Sequence, residues 1–321
     1  MNRLKICLTV VCATLSCLVS GQWSQLGSNM PGEFDSEFGN NSDFNYAGDV
    51  MIGGANSNYA KVYHEEGGVW TQLGNTLTGP IGEVYGWGVS INGQGDIIAV
   101  GEFGAEGKIH VYELVDDVWT PLGMPMEGGI HNGYYDNFGF AVDLNEAGDR
   151  LVASSLYGDL GNGTESGFVQ AYEFIDGEWQ QIGSSLQGAG VNSHFGVKVA
   201  MNATGSRFLV GADSGAGAIY VYEEVDGDWQ LLGQELLGSE LGINLMYNGT
   251  IDKIGNTIAF TQYTGPQGTY VYTLEDNMWL PKGTLVPLGG YCSLNGDGSI
   301  LGVSRSNGGD GLARVYQFQT D

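Results

Sequence analysis

The stretch that decides the fold runs Ala218-Ile219-Tyr220-Val221-Tyr222-Glu223-Glu224-Val225-Asp226-Gly227-Asp228-Trp229-Gln230-Leu231-Leu232-Gly233. It opens on β-branched and aromatic residues, breaks at an acidic, glycine-bearing turn and resumes with a tryptophan. That pattern reads as two short strands joined by a tight hairpin. The spacing Tyr, then Trp seven residues later, then Gly four after that, recurs along the chain. It appears as Tyr63/Trp70/Gly74, Tyr112/Trp119/Gly123, Tyr172/Trp179/Gly183 and Tyr272/Trp279/Gly283. Two copies are incomplete: Trp23/Gly27 has no tyrosine before it, and Tyr316 has no tryptophan after it. Complementary fragments at the two ends are what a closed ring of repeats becomes when written as a line.

Between the tryptophans a second motif recurs: an apolar residue, Gly, five residues, then Asn. It reads Phe38-Gly39…Asn45, Tyr85-Gly86…Asn92, Phe138-Gly139…Asn145 and Phe195-Gly196…Asn202, with weaker copies at Leu241-Gly242…Asn248 and Leu288-Gly289…Asn295. Five of these asparagines precede a glycine by three residues, which is hairpin-turn chemistry. A short apolar run follows each turn, such as Arg207-Phe208-Leu209-Val210. Each unit therefore holds four strands, A (Phe-Gly), B, C (Tyr) and D (Trp), and no window carries helical periodicity of useful length. Units of about fifty residues with four strands each predict an all-β chain folded as a six-bladed β-propeller of antiparallel blades. The A-B-C sets fall near 38–63, 85–112, 138–172, 195–222, 241–272 and 288–316. The D strand of the last blade is expected from the N-terminal strand around Trp23, which would close the ring.

Residues 1–21 read as a signal peptide: Arg3 and Lys5, an apolar run from Ile6 to Val19, then small residues up to Gly21. The run is too short for a spanning helix. The propeller would then occupy 22–321, secreted or held at the cell surface, with no membrane span after the leader is removed. Three of the four cysteines lie in the leader, so only Cys292 would remain and no internal disulfide is expected. Losing Arg3 and Lys5 from the 11 basic residues leaves nine against 37 acidic ones, a net charge of −28. Such a chain repels phosphate backbones, which excludes nucleic acid as a partner.

The units resemble FG-GAP-type repeats, the kind found in integrin α-chain propellers and in secreted microbial proteins. Phe138-Gly139 and Phe195-Gly196 carry the resemblance, with Gly53-Gly54-Ala55 and Gly211-Ala212-Asp213 as partial counterparts of the second tripeptide. It covers nearly the whole chain after the leader and implies a propeller with extracellular adhesion or ligand binding, without implying any chemistry. Integrin-type blades often carry a calcium loop between strands A and B. Here five of those connections are tight Asn-x-x-Gly turns, too short to wrap a cation that needs six or more oxygens. Blade five is the exception on this reading: Asn248, Thr250, Asp252 and Asn256 are spaced as ligands in a segment four residues longer, with Lys253 where such loops prefer glycine. Calcium is the one cofactor that segment would suit, a lengthened loop being the simpler reading; otherwise no cofactor is expected.

Strand order puts the D–A and B–C loops on one face and the A–B and C–D turns on the other. The Trp-to-Trp intervals are 47, 49, 60, 50 and 50, so the excess belongs to the third unit, in both of its loops on the first face. One loop carries His131, Tyr134, Tyr135 and Asp136; the other carries Tyr157, Asp159, Asn162 and Glu165. Aromatic faces beside carboxamides and carboxylates suit a glycan, a protein or a cation-bridged ligand, and loops on rigid scaffolds commonly carry recognition. The expected function is an exported, non-enzymatic recognition or adhesion propeller. The alternative is a carbohydrate-active lyase or hydrolase in which His131 and His194, from adjacent D–A loops, act as an acid/base pair. No nucleophile motif or zinc spacing accompanies them.

Overall fold

A computed structural model describes residues 26–33, 36–80, 83–104, 106–131, 134–160, 165–241, 244–264, 268–305 and 312–319. Its main elements are six small antiparallel sheets arranged as a six-bladed β-propeller. Blade one pairs Asn41–Phe44, Val50–Ala55, Tyr59–Glu66 and Val69–Thr78 in that order. Blade two follows with Val84–Ile91, Ile97–Phe103, Lys108–Val115 and Val118–Pro121. Blade three holds Phe138–Leu144, Arg150–Ser155, Phe168–Ile175 and Glu178–Gln187. Blade four holds Lys198–Met201, Arg207–Ala212, Ala218–Val225 and Asp228–Leu231. Blade five holds Asn244–Ile251, Thr257–Thr264, Thr269–Glu275 and Met278–Pro281. Blade six shows three strands among the described residues: Tyr291–Leu294, Ile300–Arg305 and Leu312–Gln317.

The C–D hairpins turn on residues in the left-handed region, for example Asp176 (φ 53°) and Gly177 (φ 88°). Two consecutive positive φ values match the twist of the flanking strands, which is why Asp, Asn and Gly fill these positions. The core lies between blades. One apolar cluster joins blades one and two through Ile52, Val62, Tyr85, Ile98 and Trp119. Equivalent clusters join each following pair up to blades five and six.

The Trp/Gly repeat is an interblade joint. The Trp119 indole Nε1–H donates to the Leu73 carbonyl at 2.9 Å, Trp179 to Leu122 at 2.9 Å, Trp229 to Ile182 at 2.9 Å and Trp279 to Leu232 at 2.8 Å. Each acceptor directly precedes the glycine of the preceding blade's D segment. That glycine has φ near +70° and faces the indole edge so closely that a Cβ would collide with it, 2.7 Å from Trp119 Cδ1 in the case of Gly74. Trp70 of blade one makes the same bond to the Leu26 carbonyl at 2.8 Å. Leu26-Gly27 thus stands toward blade one as each D strand end stands toward the next blade. Trp23 itself, and the leader at 1–21, lie outside the described residues.

The A–B turns are built on one side chain each. Asn92 Oδ1 accepts the backbone N–H groups of Gly95, Asp96 and Ile97 at 3.0, 3.1 and 3.0 Å. In blade five the residue in that role is Asp252, whose Oδ1 accepts from Gly255, Asn256 and Thr257 at 2.7, 2.8 and 3.1 Å. The longer loop read from Asn248 is therefore a correction: the A strand continues through Asn248 and Thr250 to Ile251, and the turn is as tight as the others. An aspartate accepts the same three bonds as an asparagine, so the substitution preserves the turn and hides it from a search for Asn-x-x-Gly.

The residue after each turn Asn or Asp joins a run of backbone bonds that passes from blade one to blade six around the axis. Tyr46 N donates to Gly93 O, Gly93 N to Glu146 O, Glu146 N to Ala203 O, Ala203 N to Lys253 O and Lys253 N to Gly296 O, all at 3.0–3.1 Å. These bonds fix the six A strands around a central channel.

Candidate functional site

Among the described residues, the enlarged loops of the third unit carry regular pairing and buried carboxylates. Ile130–His131 pairs with Tyr134–Tyr135 in a two-stranded hairpin. Asp136 is buried, and its Oδ2 accepts the Gly129 N–H at 2.8 Å. Asp159 is also buried, with Gln187 Nε2 donating to it at 3.5 Å. Both carboxylates thus brace the loops from within. Tyr135 and Tyr157 are exposed, 52% and 39% accessible, while the side chains of His131 and Tyr134 lie outside the described residues. Glu165 is half-buried in a left-handed backbone conformation, and Asn162 lies outside the described residues.

His194, in the following D–A loop, is where two of the expected residues meet. The Tyr157 and His194 rings pack edge to face with centroids 5.5 Å apart. His194 Nδ1 lies 2.6 Å from Asp213 Oδ1, in a half-exposed pair whose carboxylate is the more buried partner. A carboxylate on one ring nitrogen fixes the imidazole's orientation and leaves Nε2 as the group that can meet a ligand. Asp213 was not among the residues expected at this site. It ends the Gly211-Ala212-Asp213 tripeptide, and only the return of the blade-four B strand toward the same face brings it to His194. His131 belongs to the hairpin just described, one blade away.

The second site is the channel. Alternate residues of the A strands face it, as the period-two geometry of a strand requires. Near the loop face, a cavity of about 480 Å³ is bounded by Asn41, Trp87, Phe140, Lys198, Asn248 and Tyr291. Trp87, Phe140 and Phe103 form an aromatic cluster with centroids 5.4–5.8 Å apart. Toward the turn face the lining becomes acidic and includes Asp43 and Asp143. Lys253 spans this end, its Nζ 2.9 Å from the centroid of the Tyr46 ring and 3.2 Å from Glu146 Oε2. Three blades are thereby tied across this end.

Asp43 and Asp143 share Ser90. Its Oγ lies 3.1 Å from Asp43 Oδ2 and 3.0 Å from Asp143 Oδ1, and it accepts the Leu144 N–H at 3.1 Å. A hydroxyl has a single hydrogen to donate, so the second carboxyl contact is a hydrogen bond only when one carboxyl carries a proton. Burial drives both groups that way: it pushes both carboxyls above the usual range, and the Asp43 charge raises Asp143 further. Backbone N–H groups of Phe44 and Ile91 to Asp43, and of Met201 to Asp143, work in the opposite direction. The trio links blades one to four at the axis.

The blade-five positions read as cation ligands already have partners. Asn248 Oδ1 accepts the Cys292 N–H at 3.4 Å, and Asn256 Oδ1 accepts from the Arg207 guanidinium. Thr250 stands in the A strand, while Asp252 serves its own turn. Among the described residues, no group of three or more His, Cys, Asp or Glu side chains is placed to hold a metal ion. Burial pushes the Cys292 thiol up to about 12, far from the range of a reactive thiolate.

No family model matches the chain, and no curated protein matches it either. Among solved structures it is similar in fold to Kuenenia stuttgartiensis hydrazine synthase, with a TM-score of 0.57 over 87% of this chain and 76% of that one. Identity is 10%, so the likeness is one of fold.

Proposed function

We propose that this chain is an exported recognition or adhesion propeller of the FG-GAP-like kind, binding a glycan or protein through its D–A and B–C loops at blades three and four. The observation that carries this is the Tyr157–His194–Asp213 arrangement, an exposed aromatic ring beside an imidazole already held by a carboxylate. The 130–135 hairpin with its exposed Tyr135 stands on the same face. Rigid strands anchor both, the usual design of a recognition surface. The leader-like residues 1–21 support export, and the acidic balance supports a partner other than nucleic acid. A glycan array and a pull-down against extracellular proteins, each with and without calcium, test the reading. Binding that disappears in Tyr157→Ala and His194→Ala is the expected outcome, and no binding under any condition contradicts it.

The 2.6 Å His194–Asp213 contact also favours a second reading, since a carboxylate-oriented imidazole is the form a general base takes. In that case the chain would be a carbohydrate lyase or hydrolase using His194, with His131 in support. Polysaccharide turnover abolished by His194→Ala and by His131→Ala supports it. Turnover that survives both, or none in the unaltered protein, removes it.

A further inference from the structure

The loop end of the central channel is a built cavity that the recognition surface on the blade-three and blade-four loops does not use. Its walls come from all six A strands, so its shape is set by the most regular part of the fold. On its turn side stands the Asp43–Ser90–Asp143 trio, and beyond that Lys253 crosses to Tyr46 and Glu146 in a second cavity of about 830 Å³. A ligand entering from the loop side reaches this cavity without passing the trio. The volume, about 480 Å³, falls within the roughly 300–1,000 Å³ that small-molecule sites occupy.

The lining chemistry narrows what would enter. Lys198 is half-buried among these residues and has no carboxylate within 4 Å among the described residues; Lys61, Lys108, Lys253, Arg150 and Arg207 each do. Its charge is felt by Asp43, Asp143 and Cys292 without contact. Burial holds the Asp43 and Asp143 carboxyls toward their neutral forms, and the Lys198 charge acts on both from the loop side. Asn248 has its Oδ1 directed to Cys292, which leaves its Nδ2 hydrogens for the lumen, and Asn41 adds a second amide to the same lining. Trp87 and Phe140, inclined at 40° and backed by Phe103, form an apolar wall rather than a flat slot. A fixed cation, two carboxamides and an aromatic wall match a pyranose ring that carries a carboxylate: the ring's C–H face packs on the aromatics, its hydroxyls bond the amides and its carboxylate meets the ammonium.

We propose that the loop end of the channel binds a single uronic-acid sugar residue, free or at the end of a glycan, with Lys198 holding its carboxylate. The site is separate from the Tyr157–His194–Asp213 surface and stands or falls apart from it. Calorimetric titration of the full chain with glucuronate, and with glucose as the neutral counterpart, tests it. Glucuronate is expected to bind one site per chain and glucose about tenfold more weakly or worse, the ratio a charge-assisted hydrogen bond supports. Lys198→Met should weaken glucuronate by about the same factor, and Trp87→Leu should weaken both sugars. Tyr157→Ala should change neither. Thermal unfolding of each variant checks that it is folded, and Lys198→Gln replaces Lys198→Met if the latter is not. Absence of glucuronate binding, equal affinity for glucose, or unchanged affinity in a folded Lys198 variant would overturn the proposal. Loss of binding in Tyr157→Ala would overturn it too, by moving the sugar to the loops.

Discussion

At the turn end of the ring, six connections repeat one geometry: Asn45, Asn92, Asn145, Asn202, Asp252 and Asn295 each close a tight turn, and their neighbours are joined by backbone bonds from blade one to blade six. At the loop end the connections differ in length, and at blades three and four they bring Tyr157 against His194 and His194 onto Asp213, just past the blade-four B strand. The same six A strands run between the two ends. The difference shows how a propeller divides its labour: the end where strands are held in register cannot vary without opening the ring, and the other end is free to diversify.

The largest expected effects lie in the joints between blades. Trp279 is 1% exposed and bonded to the Leu232 carbonyl, so Trp279→Ala should cost about 3–5 kcal/mol, seen as a fall in denaturant midpoint. Deleting residues 22–27 removes the Leu26 carbonyl from Trp70 and, if the Trp23 strand completes blade six, leaves an open sheet edge. A large loss of stability or aggregation is expected, and a truncated protein that stays monomeric and equally stable would refute closure by that strand. A smaller effect tests the equivalence of the turns. Asn92→Ala should cost on the order of 1–3 kcal/mol, because three backbone N–H groups lose one acceptor, whereas Asp252→Asn should change the midpoint very little. A severe loss in Asp252→Asn would show that blade five is not built like the others.

The buried Asp43–Ser90–Asp143 trio predicts a pH dependence with a definite sign. Both carboxyls titrate higher in the folded chain than the ordinary value of about 3.9 for an unfolded aspartate. Their contribution to stability is fully present below that value and is lost as pH rises through the folded values. Asp143→Asn, which keeps the size and removes the charge, should flatten this part of a stability-against-pH curve. An unchanged slope would mean that the trio is not the source. The smallest stability effect is expected at the loop end: the His194–Asp213 pair is partly solvated, so His194→Ala should change stability by about 1 kcal/mol or less while removing binding.

The parts of this design that could be read from sequence are those where the physics demands one residue type at one spacing. An indole fitted over a left-handed glycine tolerates few substitutes, so Trp/Gly pairs counted the blades and ordered their strands. The turn in blade five was hidden because an aspartate can do the asparagine's work, and Asn248-Gly249 four residues earlier resembled the motif. The channel was hidden for another reason. Asp43, Ser90, Asp143 and Lys198 alternate along strands as solvent-facing residues do, and nothing local tells an axial lumen from open water. Asp136 and Asp159 looked like ligand-facing carboxylates in polar loops, yet the loops fold back and bury them. Asp213 met His194 through a contact nineteen residues long in sequence, which only the blade geometry creates.

The most direct test of the contrast between the two ends is a glycan array and extracellular-protein pull-down run on the unaltered chain and two paired variants. One, Tyr157→Ala with His194→Ala, alters the loop end; the other, Asp176→Ala with Glu178→Ala, alters the C–D turn of blade three at the opposite end. The account predicts that the partners held by the unaltered chain, glycans ending in a uronic acid aside, are lost by the first and kept by the second. Partners kept by the first and lost by the second, or none held by the unaltered chain, would contradict it.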